Sequence, residues 1–244
     1  MIVAIHQPQY LPWVPYCAKA AACDVFVYLD TVQFQKNGVQ NRNQIKTPQG
    51  ALWLTVPVNA RLDLSIREIR IDNQHWQQKH LRSIQQNYAR APFLGLFSAG
   101  LAPILERPWE HLVELNIATT EWLFACLGVS CRRVRASELK AVGAREDLVI
   151  NICRELGADV YLSGQGAKAY QVEADFRAQG IELRYQQHRG VAYPQCHPQA
   201  GFIADLSALD LVLNTGADAA EIMLGGEAVG GVQSRPAGGE GGSL

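Results

Sequence analysis

The chain opens on a short apolar run, Ile2 to Ile5, that ends in polar His6 and Gln7. A turn follows, stiffened by Pro8, Pro12 and Pro15 and interleaved with Tyr10 and Trp13. A small-residue stretch from Tyr16 to Cys23 then suits a helix, and a second apolar run, Val25 to Leu29, closes on Asp30. Continuous apolar runs separated by a helical segment predict strand, turn, helix, strand, the repeating unit of a parallel sheet. The carboxyl ends of such strands line the ligand crevice. His6, Gln7, Tyr10 and Asp30 are therefore expected at one rim.

The pattern lapses after Asp30 into a segment rich in amides and base, with little apolar content, as far as Gly50. Alternation resumes over Ala51 to Val58 and Ser65 to Ile71, which predicts antiparallel strands added to the parallel core. Asp72 or Asn73 can cap a helix over residues 74–88, where Trp76, Leu81, Ile84 and Tyr88 recur at near-helical spacing. A helical pattern from Trp109 to Leu127 ends at Gly128. The second half repeats the rhythm: strand Cys131 to Val134, helix Arg145 to Leu156 stopped by Gly157, strand Val160 to Leu162, helix to Phe176, strand Ile181 to Tyr185. The predicted fold is α/β and Rossmann-like, a mostly parallel sheet with helices on both faces and an antiparallel excursion near 51–71, as a single domain over residues 1–222. An α+β arrangement, with 31–71 forming its own sheet, is the alternative. Residues 223–244 are Gly-rich and too poor in apolar side chains to order, so they are expected to form a disordered tail.

Composition narrows the class. A chain of 244 residues, 48% hydrophobic, can bury an enzyme-sized core. A net charge of −1 leaves no general electrostatic footprint for nucleic acid or an anionic membrane. No apolar stretch approaches the roughly 18 residues of a spanning helix, and the start reads as a strand rather than a signal peptide. The six cysteines form no C-x-x-C pair, which argues against a zinc ribbon or a redox motif, and no metal site is expected. Cys23, Cys126 and Cys153 lie in apolar or helical surroundings, as reduced core thiols do, and a cytoplasmic location is expected.

Three constellations can carry chemistry. The N-terminal turn is the first. The second is the cluster Gln33, Lys36, Asn41, Arg42, Asn43 and Lys46, either a solvated loop or an anion clamp, since arginine is the natural fork for carboxylate or phosphate. The third is Ser163-Gly164-Gln165-Gly166, a small-residue turn between strand and helix. It either exposes backbone N–H groups to an anion or merely uses glycine to turn tightly. It is neither a P-loop nor a G-x-G-x-x-G fingerprint. A fourth segment sets Cys196 beside His197, but sequence neighbours seldom pair as nucleophile and base, and both are expected at the periphery.

His6-Gln7-Pro8-x-Tyr10-Leu11-Pro12-Trp13, Asp24-Val-Phe-Val, Lys36, Asn41-Arg42-Asn43, Trp76, Tyr88, Tyr161-Leu-Ser-Gly-x-Gly-Ala-x-x-Tyr170, Tyr193-x-Gln195 and Leu206-Ser207-x-x-Asp210 together resemble the WbqC-like family. The likeness runs from Ile2 to about Gly216. Asp205 stands where the pattern expects asparagine, and Cys196-His197 is particular to this chain. The resemblance implies a place in O-antigen, other surface-glycan or secondary-metabolite biosynthesis, at attachment of an acyl or aminoacyl group to an amine. The layout is also distantly similar to nucleotidylyltransferases and pantothenate synthetases, which open on a strand followed by P-x-H-x-G-H. Here Tyr10 and Trp13 replace both histidines.

The expected function is amide formation by an acyl or aminoacyl transferase or an ATP-dependent ligase, on an amine of a small metabolite or amino-sugar nucleotide. The alternatives are a non-catalytic binding or scaffold protein of such a pathway and a nucleotidyltransferase. His6 is the expected general base, with Asp30 orienting it and Tyr10 and Gln7 positioning the acyl oxygen. Lys36, Asn41, Arg42 and Asn43 would clamp one anion, and Ser163, Gly164 and Gly166 a second. Activation within the site would need ATP and magnesium, whereas a carrier-bound acyl thioester would need neither.

Overall fold

The computed structural model describes residues 1–36, 38–59, 61, 63–72, 75–169 and 171–225. The first half runs β1 (Ile2–His6), α1 (Val14–Ala21), β2 (Val25–Tyr28), β3 (Arg42–Thr47), β4 (Gly50–Thr55), β5 (Val58–Asn59) and β6 (Arg70–Ile71). Helices α2 (Trp76–Asn87), α3 (Leu94–Leu96), α4 (Ala102–Glu106) and α5 (Leu112–Cys126) follow. The second half alternates β7 (Arg132–Arg135), α6 (Arg145–Leu156), β8 (Val160–Ser163), α7 (Glu173–Ala178) and β9 (Glu182–Tyr185), then ends in α8 (Ala208–Thr215) and α9 (Ala219–Gly225).

Five strands form one sheet in the order β7-β2-β1-β8-β9, and every pair in it is parallel. Successive side chains on a strand face opposite ways. Ala4, Phe26 and Tyr28 accordingly pack into one core with α1, α5 and α8, while Val3, Ile5, Val25 and Val27 pack into a second core with α6 and α7. The fold is the expected α/β Rossmann-like one, with helices on both faces. Strand order reverses between β1 and β8, because β1 leads outward to β2 on one side while β8 leads to β9 on the other. That reversal is the topological switch point, where open α/β sheets bind ligands.

The antiparallel excursion begins earlier than predicted. Arg42–Thr47, expected as loop, is a strand paired with Gly50–Thr55, and Val58–Asn59 pairs with Arg70–Ile71. Amide-rich residues can be buried here because their groups find partners: Asn41 Nδ2 donates to the Val56 carbonyl (2.8 Å) and Asn43 Nδ2 to the Leu11 carbonyl (2.7 Å). Residues Ile66–Glu68, expected within a strand, form a 3-10 turn opened by a Ser65/Glu68 capping box. Helix α6 ends as predicted, with Gly157 left-handed at φ 71°.

Helix α9 continues through Gly225 and buries Met223, so the start of the expected tail at 223 falls inside a helix. Residues 226–244 of that tail, Asn73 as a helix cap, and Tyr170 lie outside the described residues. Among the described residues, no helix is long and apolar enough to cross a membrane.

Candidate functional site

A cleft of about 1250 Å³ opens at the carboxyl edge of the parallel sheet. His6 and Gln7 at the end of β1 line it, as do Ser163 at the end of β8 and Gly164 and Gly166 beyond it, so both predicted turns face one space. Trp13, Val14 and Pro15 form a wall from the start of α1. The polar turn that carries Gln7 is held from behind. Gln40 Nε2 donates to Gln7 Oε1 (2.7 Å), and the Gln40 carbonyl accepts both the Tyr10 N–H (3.2 Å) and Asn116 Nδ2 (2.8 Å). Leu11 takes φ 45°, a left-handed value rare for a residue with a side chain, and its carbonyl is pinned by Asn43.

The His6 ring is recessed in the cleft against Tyr16, with ring centroids 4.7 Å apart. Its Nδ1 lies 3.2 Å from the Gln7 carbonyl oxygen, which can only accept. The proton of a neutral ring therefore sits on Nδ1 and leaves the lone pair on Nε2. Burial, and then the charge of Lys19, push His6 well below its ordinary value, outweighing the Gln7 carbonyl, which acts the other way. The imidazole is neutral at pH 7.

Lys19 was not singled out by the sequence pattern, yet it lines the cleft beside His6. It is 3% exposed, and its Nζ donates to the Ile5 carbonyl at 3.1 Å. Burial lowers its amine to about 7. The available signal was a single charge among the small residues of Tyr16–Cys23.

On the β8 side, Ser163 is fully buried, and its Oγ donates to Gln171 Oε1 at 2.8 Å. Gln165 Nε2 reaches the Gln186 carbonyl (2.8 Å) and Gln186 Nε2 the Pro15 carbonyl (3.0 Å), tying three turns together across the edge. Neither glycine of the turn has a left-handed φ, and a Cβ added at Gly164 or Gly166 would meet nothing within 4 Å. The protein itself does not require glycine there; the open space belongs to the cleft.

A long connection from β9 to α8 closes the far wall with His188, Tyr193, Phe202, Ile203 and Asp205. Buried Asp210 on α8 fastens it, accepting from Tyr88 (2.7 Å) on Oδ1 and from Tyr193 (2.9 Å) and Gln195 (2.8 Å) on Oδ2. Lys46 Nζ donates to Gln195 Oε1 (3.0 Å) and the Gly201 carbonyl (2.5 Å). The predicted family motifs around Gln195 and Asp210 thus meet in one network. Burial raises the Asp210 carboxyl above its ordinary value, although three donors act to lower it.

Several predicted residues lie elsewhere. Tyr10 is fully buried outside the cleft, with its hydroxyl 2.9 Å from His80 Nδ1 and its ring edge-on to Trp76. The turn winds its side chain back toward α2. Asp30 is not a cleft residue either: it accepts the Ser137 N–H (2.9 Å) and hydroxyl (2.7 Å), capping the turn after β7. Lys36, Asn41 and Arg42 line a separate pocket of about 170 Å³, and the Arg42 guanidinium stacks 4.4 Å over the Trp53 ring. Asn43 supports the backbone at Leu11 instead of reaching an anion. Cys196 and His197 do not line the cleft, and the His197 ring contacts the Asn87 carbonyl through Nε2 (2.7 Å). Among the described residues, no group of three or more His, Cys, Asp and Glu side chains is placed to hold a metal.

A model described as the WbqC-like protein family matches residues 7–222. Uncharacterized protein Rv1507c of Mycobacterium tuberculosis is 34% identical over 225 residues, which cover 91% of this chain and 96% of that protein. No solved structure gives a significant match.

Proposed function

The chain belongs to the WbqC-like protein family, and from that membership and the cleft we propose that it forms amide bonds. An acyl or aminoacyl group would pass from a pre-activated donor to an amine of a small metabolite or amino-sugar nucleotide, in surface-glycan or secondary-metabolite biosynthesis. The observation that carries this is His6, neutral and recessed, facing the Ser163–Gly166 turn across one cleft. The amine nitrogen attacks the acyl carbon as His6 Nε2 takes its proton; the bond to the leaving group breaks, and the imidazolium returns the proton to that group. Gln7, held through its Oε1 by Gln40, offers its amide N–H to the acyl oxygen.

Activation with ATP inside the site would call for converging oxygen ligands for magnesium. Among the described residues two carboxylates line the cleft: Glu146, which accepts the Val172 N–H (2.9 Å), and Asp205. One or two carboxylates with waters and substrate phosphates suffice for magnesium, so the cleft admits ATP-dependent activation as the alternative to a thioester-class donor. Incubating the protein with acyl thioesters and an amine panel, with amide detected by mass spectrometry, tests this against amino-acid-dependent pyrophosphate exchange with ATP. In a His6→Ala variant the amide-forming rate should fall more than tenfold; a smaller loss rejects the base assignment.

A binding or scaffold role is the competing reading. It is favoured by the position of Asp30, which leaves His6 without the expected carboxylate. Saturable ligand binding with no turnover over the whole panel would select it.

A further inference from the structure

The carbonyls of β1 alternate in direction. That of His6 accepts the Leu29 N–H on the β2 side, and that of Met1 accepts from Asp159 and Val160 on the β8 side. The Ile5 carbonyl therefore points toward β8, at the level where β8 gives way to the Ser163 turn. Among the described residues no strand amide meets it there; Lys19 Nζ does, at 3.1 Å. The amine thus stands in the crevice of the switch point, on the cleft wall between His6 and the Ser163 turn. An ammonium has three donors, and among the described residues no carboxylate pairs with this one. A buried cation without a counter-ion is costly unless a ligand supplies one.

We propose that Lys19 is the anion anchor of the cleft, pairing its ammonium with an oxyanion of the substrate, carboxylate or phosphate, at the β1–β8 switch point. The inference rests on the cleft being the substrate site and names one feature of the substrate that enters it. Anion binding then draws a proton onto Lys19, whose amine burial lowers to about 7. The titratable groups near it are His6 on β1, Tyr16 on its own helix and Cys23 just beyond that helix. His6 is held low, and Tyr16 and Cys23 are pushed up by their surroundings. His188, also held low, and the formal charges Arg145, Glu146 and Asp205 stand on the other walls.

The test uses sulfate and acetate as probes, since neither changes charge between pH 6 and pH 8 and neither carries an activated acyl group. Their dissociation constants on the full chain are read from amide chemical shifts at constant ionic strength. Sulfate stands for a phosphate and acetate for a carboxylate, and the tighter probe identifies the oxyanion. For wild-type protein the affinity should weaken about tenfold from pH 6 to pH 8. It should disappear in Lys19→Met and become flat with pH in Lys19→Arg. Binding that is flat with pH in the wild type, that survives Lys19→Met (as a site at Arg145 would), or that is absent for both anions at pH 6 overturns the proposal. The wild-type profile and the arginine variant decide it even if the methionine variant does not fold. Neither result depends on whether His6 catalyses acyl transfer.

Discussion

Gln195 reaches Asp210 with its amide nitrogen at 2.8 Å while its amide oxygen accepts Lys46 Nζ at 3.0 Å. One side chain thereby joins the cleft-closing connection to α8 and to β3. With Tyr88 and Tyr193 also donating to Asp210, one buried carboxylate gathers three donors at the far wall of the cleft. Replacing Asp210 by alanine strands three donors, at a cost of about 3–5 kcal/mol. Urea denaturation should show that loss, and limited proteolysis should show early cutting between residues 186 and 206. A variant within about 0.5 kcal/mol of wild type would mean that the network does not hold the wall.

Tyr10 sits in the same turn as His6 but serves the core. Tyr10→Phe keeps the ring against Trp76 and leaves His80 Nδ1 without its partner at 2.9 Å. Burial already holds His80 near 4, so the ring stays neutral and the loss is that of one neutral hydrogen bond, about 1–2 kcal/mol. Amide-forming activity should stay within about twofold of wild type. A hundredfold fall with unchanged melting temperature would return Tyr10 to the chemistry.

The sequence made the parallel core readable because its strands are continuous apolar runs, and the presence of His6 and Ser163 at one edge follows from two parallel strands ending alike. It did not reveal β3. That strand carries Asn43 and Lys46 into the interior, and their burial depends on the Leu11 and Gly201 carbonyls, which come from distant parts of the chain. Tyr10 and Asp30 lie away from the expected rim for a related reason. Being near a strand's end fixes a residue's height but not the direction of its side chain once the backbone leaves the pleat. Lys19 sat on a helix whose small neighbours suggested packing alone, and only the missing strand partner of the Ile5 carbonyl gives it a position.

Gly164 and Gly166 separate conformational need from ligand contact. Both occupy backbone angles open to alanine, and a Cβ at either would find free space. Alanine there should leave stability unchanged or raise it by about 0.4–1 kcal/mol, through the unfolded state. If a ligand lies against the turn, the same methyl should weaken substrate binding at least fivefold, measured as KM or as a titrated dissociation constant. Alanine variants that are destabilised by more than about 1 kcal/mol, or that bind as wild type, would confine these glycines to a structural role.

Lys19 makes the most contrary prediction, since removing it should stabilise the protein. Its amine falls from 10.5 to about 7 on folding, chiefly through burial. Between those two values the unfolded chain holds more protons than the folded one, so stability rises with pH across that window; below about 7 the penalty is present in full. It amounts to something on the order of 3–5 kcal/mol at pH 7. Lys19→Met removes that term and strands the Ile5 carbonyl, at a cost of about 1–3 kcal/mol. Urea unfolding should therefore find the variant more stable than wild type at pH 7, with the difference shrinking as pH approaches 10.5. A variant less stable at both ends, or a difference that widens with pH, would show that the ammonium is compensated within the folded chain. The cleft would then lack the free cation that gives an anionic substrate its place.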